Sequence, residues 1–312
     1  MFEFNPILVK ELRSRMRGPR AFVLLTVYLL VLSSVTLLLY SGLAGNIGSD
    51  LNAGRQIGKA LFLVIAAVAL VEVCVITPAL TSGSIAGEKE RQTYDLLISS
   101  LLSPWQIVWG KLASALAFAL LLILSVVPVM SLAFLFGGVS AAEVLIALAG
   151  LVATAVFYAS VGLFWSSVTQ STLGATSFAL GSIILMLLGI PFLVVIFGLV
   201  FTSDLSTDLL DSALFIYLSR LFIAAHPFIA LGITANQLDA GGSPFFEVVR
   251  TSSAELLVPA PWLLYVLLSA LFSLALVAMS VRMLQPVQPI PAKEARAGRQ
   301  PDAGEQGGAE AA

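Results

Sequence analysis

Ala60-Leu61-Phe62-Leu63-Val64-Ile65-Ala66-Ala67-Val68-Ala69-Leu70-Val71-Glu72-Val73-Cys74-Val75-Ile76-Thr77-Pro78-Ala79-Leu80-Thr81 decides the fold class. In these residues one side chain, Glu72, carries charge. About 20 apolar residues in an α-helix cross a hydrocarbon core of about 30 Å. With no water in that core, every backbone polar group must be satisfied within the segment, which selects a helix. Five further runs have this character, so the spans fall near 22–40, 59–81, 105–136, 142–166, 174–201 and 261–283. The third and fifth are longer than crossing requires, which predicts tilt or extension beyond the lipid. Pro78, Pro128 and Pro191 lie inside these runs and read as kinks.

The rest of the composition agrees. Of 312 residues, 59% are hydrophobic and 11% charged, with mean hydropathy +1.00. A soluble domain carries roughly a quarter charged residues. One histidine, His226, argues against a multi-histidine metal site. A single cysteine, Cys74, permits no internal disulfide. The apolar run after Arg20 exceeds a secretory h-region, so the expectation is a retained anchor.

Helix starts are legible. Ser103-Pro104-Trp105-Gln106 places Ser at the N-cap, Pro at N1 and Gln at N3, and Ser140 with Glu143 repeats the S-x-x-E box. The stretch Ser212–Ile233 is nearly long enough to span but holds Arg220 and His226-Pro227. Charge placement decides how to read it. With six spans, both termini face the cytosol, along with twelve of the sixteen Lys and Arg. Only Arg55, Lys59, Arg220 and Arg250 then lie outside, as the positive-inside rule requires. A seventh span would export the basic tail. Residues 212–233 therefore read as a re-entrant or surface-lying helix pair broken at His226-Pro227, within an external loop 202–260. Residues 285–312, rich in Pro, Gly, Ala, Gln and Glu, read as a disordered cytosolic tail.

Residues 1–20 predict an amphipathic helix. After Asn5-Pro6, Leu8, Leu12 and Met16 share one face while Lys10, Arg13 and Arg17 share another, and Gly18-Pro19 closes the segment. It reads as a helix in the headgroup layer, or more simply as a basic flank that sets topology.

The loop 82–104, between spans two and three, is the most specific part of the chain. Glu88-Lys89-Glu90-Arg91 predicts the opening of a short helix, with Tyr94, Leu97, Ile98 and Leu101 on one apolar face. So short a helix needs something to pack on. The run Gly87-Glu88-Lys89-Glu90-Arg91-Gln92-Thr93-Tyr94-Asp95-Leu96-Leu97-Ile98-Ser99, then Leu102-Ser103-Pro104 and Gly110-Lys111-Leu112, resembles the ABC-2 type transporter permeases. Asn5-Pro6 with Lys10-Glu11-Leu12-Arg13 resembles the opening of the same group. The match covers the first ~115 residues closely; beyond them it rests on helix count and the Pro227-Phe228 segment.

The resemblance implies an all-α transmembrane bundle over 21–284, six spans preceded by an elbow helix at 1–20, working as a homo- or heterodimer of permeases in the plasma or inner membrane. It implies a coupling helix that docks on a separate ABC ATPase. Glu88, Glu90, Arg91 and Asp95 would supply its polar contacts, and Tyr94 and Leu97 its apolar anchors. ATP and Mg would belong to that partner, and this chain would carry no cofactor and no catalytic residue. Nothing points to nucleic acid. Export is preferred by analogy.

Two intramembrane charges stand apart. Glu72 is about nine residues from Thr81 and Lys111 about eight from Ser103, which puts them at similar depth on antiparallel helices. A Glu72–Lys111 pair that transmits loop movement is one reading. An architectural pair, or independent snorkelling, is the simpler one; a cation-binding Glu72 is a third. Gly54-Arg55-Gln56-Ile57-Gly58-Lys59 has three residues between its glycines where a P-loop has four, and Ala60 replaces Ser/Thr. Energy would therefore come from elsewhere. The alternatives are a membrane scaffold or channel without nucleotide coupling, and an intramembrane enzyme, for which His226 is a poor base.

Overall fold

The computed structural model describes residues 6–16, 19–46, 53–94, 102–200, 207–251 and 254–284. The helices are α1 (Pro6–Met16), α2 (Pro19–Asn46), α3 (Ala53–Glu90), α4 (Pro104–Phe136), α5 (Ala141–Val168) and α6 (Thr172–Val200), then the short α7 (Thr207–Leu210), α8 (Ala213–Ala224) and α9 (Pro227–Asp239). A β-hairpin, β1 (Phe246–Arg250) and β2 (Glu255–Pro259), precedes α10 (Pro261–Leu284). Six helices are long and apolar enough to cross a membrane: α2, α3, α4, α5, α6 and α10. The fold is the all-α bundle that the apolar runs predict. The tail 285–312 lies outside the described residues.

Both capping boxes are formed. Gln106 N–H donates to Ser103 Oγ at 3.3 Å, and the Gln106 side chain accepts from Ser103 N–H at 2.9 Å. At α5 the same exchange joins Ser140 and Glu143, at 3.2 and 2.7 Å. Each box satisfies N–H groups that a helix start leaves unpaired. At the start of α4, Trp105 and Trp109 are exposed and stacked, with centroids 6.0 Å apart, the residue type that marks a membrane–water interface.

α3 is the central element. It packs most extensively on α5, then on α4 and α6, while α10 covers the other side of α5. Its core contacts include Leu61, Ile65, Ala69 and Val73, set against Leu122, Val126 and Met130 of α4 and Leu151 and Ala155 of α5. α6 is peripheral: Ala175, Ala179 and Ile183 are its buried residues, and apolar side chains such as Phe178, Ile184, Leu185, Leu188 and Phe192 face outward. Such a surface suits lipid or another apolar protein face.

The segment 212–233 is a broken pair. α8 and α9 bend by 117° about Ala225-His226. An angle beyond 90° carries the second helix back towards the side from which the first came, so the pair does not cross a bilayer as one straight rod. His226 causes the break. Its Nδ1 caps α9 by accepting from Ile229 N–H at 3.3 Å, Pro227 occupies N1, and Nε2 meets Leu187 O of α6 at 3.0 Å.

The sequence reading had no hairpin in the loop 202–260. β1 and β2 pair antiparallel, Val248 opposite Leu257 and Arg250 opposite Glu255. Arg220 donates to Glu247 at 2.6 Å and Trp262 Nε1 to Pro244 O at 2.7 Å, tying the hairpin to α8 and α10. At this end of the bundle Lys59 of α3 pairs with Glu143 of α5 and lies 3.5 Å from Asp239 of α9.

Candidate coupling site at the α1 end of the bundle

The opposite end gathers α1, the C-terminus of α3, the N-termini of α4 and α6, and the C-termini of α5 and α10. Ile7, Ile85, Ile107, Val108, Leu112 and Leu284 form one apolar cluster there, with Tyr94 packed against it. On α1, Ile7 is buried and Lys10 and Arg13 are exposed.

The end of α3 corrects the sequence reading. Span two was expected to stop near Thr81, with a new helix opening at Glu88. Instead α3 is continuous from Ala53 to Glu90. At 1.5 Å per residue its 38 residues measure about 57 Å, so its last turns extend well past a core of about 30 Å. Ser82, Gly83, Ser84 and Gly87 look like loop residues because of their local propensities. Packing overrides those propensities. Ser84 Oγ donates to Thr81 O at 2.6 Å, within its own helix. Ser166 Oγ of α5 accepts from the N–H groups of both Ile85 and Ala86, at 2.9 Å each. A Cβ at Gly87 would meet the Thr172 methyl at 3.4 Å, so the small residues allow α6 to sit close.

Three successive residues then fasten α3 to its neighbours. Glu88 lies 3.7 Å from Lys111 Nζ and accepts from the Thr93 hydroxyl. Lys89 Nζ donates to Ser167 O at 2.6 Å and Thr169 O at 3.1 Å, satisfying carbonyls at the C-terminus of α5, where a cation is favoured. Glu90 accepts from Thr172 N–H at 2.9 Å and Thr172 Oγ1 at 2.7 Å, placing a carboxylate on the N-terminus of α6. Two acids at the C-terminal end of α3 oppose its own dipole, and these partners offset that cost. The chain then turns at Gln92, whose φ of 58° is left-handed, and Thr93 N–H donates to Glu88 O at 2.9 Å. Arg91 and Gln92 are exposed at this corner, and the Tyr94 ring lies 5.6 Å from Lys89 Nζ.

Of the nominated coupling residues, Glu88, Glu90 and Tyr94 are thus engaged within the chain and Arg91 faces outward. Asp95 and Leu97 lie outside the described residues.

The Glu72–Lys111 pair is not formed. Lys111 is 2% exposed; its ammonium donates to Glu11 of α1 at 3.1 Å and to Ser84 O at 2.8 Å, with Glu88 beyond. The reason is that α3 does not end near Thr81 but continues to Glu90, and Lys111 meets it at Ser84. Counted from Glu90, Glu72 is eighteen residues, about 27 Å, up the helix, well above Lys111. Sequence reasoning also missed Glu11, Ser166 and Thr172. Glu11 gave one signal: it is the only acid within Pro6–Met16.

Two apolar cavities flank α3. One, of about 160 Å³, lies among α3, α5 and α9. The other, of about 470 Å³, lies between α3 and α6 beneath His226 and Phe228. Among the described residues no cluster of His, Cys, Asp or Glu suits a metal ion.

A bundle of six apolar helices, with its charged anchoring gathered at the two ends, defines a multi-pass membrane protein. Residues 43–280 match the family model described as ABC-2 family transporter protein, and the chain belongs to that family. It is accordingly the membrane permease component of an ABC transporter. A comparison with curated proteins finds no match.

Proposed function

We propose that this chain is the permease subunit of an ATP-driven exporter, coupled through the corner after α3 to a separate ABC ATPase that holds ATP and Mg. In this reading both termini lie in the cytosol, and two permease subunits associate, with the outward apolar face of α6 available to the second copy. One observation carries the reading. Arg91 and Gln92 present an exposed corner, while the three residues before it tie α3 to α4, α5 and α6. A partner that presses on this corner moves several helix ends together. The favoured direction, export, rests on the family resemblance.

The test is co-purification of the ATPase with charge-reversed Arg91→Glu. Recovery should fall about tenfold, equivalent to about 1.4 kcal/mol, with membrane insertion unchanged. Glu90→Ala should also reduce recovery, but by releasing the start of α6, so cross-linking of 90 to 172 as a cysteine pair should restore it. Arg91→Glu with full ATPase recovery and full transport would eliminate the corner as the docking point. A chain that transports without any ATPase would favour the channel reading.

A further inference from the structure

Glu72 stands at the midpoint of α3, nineteen residues from Ala53 and eighteen from Glu90, so about 27–29 Å from either end. Glu11, Glu88 and Glu143 each face a lysine, whereas no cation among the described residues pairs with Glu72. Its Oε2 is shielded and has no hydrogen-bond partner. The same holds for the hydroxyl of Tyr28 on α2, a side chain only 2% exposed. α2 packs on α3, and Tyr28 lies eighteen residues before Asn46 where Glu72 lies nineteen after Ala53, so the two stand at similar depth on adjacent helices. Phe118 and Leu122 of α4 belong to the Tyr28 cluster, whereas Cys74 belongs to a separate cluster with Tyr158 of α5.

Glu72 is half-buried in the bundle, and an unpaired carboxylate at mid-membrane depth is costly, so such groups neutralise. Two orphaned polar atoms on facing helices also call for a guest. A hard metal ion needs six or more oxygens, and this pair supplies three at most. A proton with one bridging water needs only the two groups present.

We propose that Glu72 and Tyr28 form a proton-binding site in the middle of the membrane. The Glu72 carboxylate takes up one proton to become the neutral acid. A water between its O–H and the Tyr28 hydroxyl then gives both groups a partner. The site is separate from the ATPase-coupling corner and independent of that reading.

The experiment is labelling of the purified chain in neutral-lipid nanodiscs with dicyclohexylcarbodiimide, which attacks protonated carboxyls in apolar surroundings. Peptide mass spectrometry reads the position, from mildly acid to mildly alkaline pH. Glu72 should be labelled at acid pH, and the label should fall about tenfold per pH unit above a midpoint. Glu72→Gln, nearly isosteric, should fold normally and lose the label. Tyr28→Phe should retain the label with a displaced midpoint. Absence of label at every pH in folded protein would overturn the proposal, as would a yield independent of pH. An unmoved midpoint in Tyr28→Phe would remove Tyr28 from the site.

Discussion

Lys111→Met should lower the stability of the protein by about 3–5 kcal/mol, the range expected when one partner of a buried ion pair is removed. The ammonium is 2% exposed, donates to Glu11 and Ser84 O, and lies 3.7 Å from Glu88. Methionine fills similar volume and keeps the packing with Ile107 and Leu112, so the loss is electrostatic. Two carboxylates on different helices, Glu11 and Glu88, then lose the buried ammonium they share, beside the apolar cluster of Ile7, Ile85 and Val108. Against a total stability of about 5–15 kcal/mol, the loss should appear as a collapse in monodisperse yield and a large drop in melting temperature. Glu11→Gln should cost much less, because the ammonium keeps Ser84 O and Glu88. Adding Glu11→Gln and Glu88→Gln to Lys111→Met should recover part of the loss, since both carboxylates that faced the ammonium are then neutral. A Lys111→Met protein that melts like the parent would show that the lysine is dispensable to the α1–α3–α4 junction.

The same residue shows where sequence reasoning succeeds and where it stops. That Lys111 is buried and paired could be expected from its place in an apolar run. Its partner could not, because the partner depends on where α3 ends. Spans are readable because lipid demands about 20 consecutive apolar residues whatever surrounds them. The caps at Ser103 and Ser140 are readable because a box closes within four residues. Both are local facts. The extension of α3 through Ser82–Glu90 is held by Ser166, Thr172 and Lys111, which lie 20 to 90 residues away, so the local propensity of serine and glycine pointed to a loop. The hairpin has the same explanation. Phe246–Arg250 and Glu255–Pro259 are short and carry mixed polarity, and their fastening to Arg220 and Trp262 is tertiary. The bend at His226-Pro227 could be read because proline and a capping side chain act within one turn.

Gly162→Ala should cost about 3 kcal/mol, the upper part of the range for overpacking. A Cβ at Gly162 of α5 would collide with Thr81 Oγ1 and would stand 2.6 Å from Pro78 O and 2.9 Å from Pro78 Cα. Side chains rotate out of the way; backbone does not. Thr81→Ala combined with Gly162→Ala should therefore fail to rescue, because the Pro78 carbonyl and Cα remain in the path. α3 and α5 form the most extensive helix contact in the molecule, so parting them also strains the Ser166 bonds to Ile85 and Ala86 one turn further along. Gly181→Ala on α6 is the control: nothing lies within 4 Å of its added Cβ, and alanine is the better helix former, so its melting temperature should hold or rise slightly. Thermal unfolding of the three variants in detergent separates the cases. Recovery in the Thr81→Ala double variant would mean that the threonine side chain, and not the backbone of α3, sets the approach. Between closely packed membrane helices small residues matter because they bring backbones together, and Gly162 lets α5 approach the backbone of α3 at Pro78.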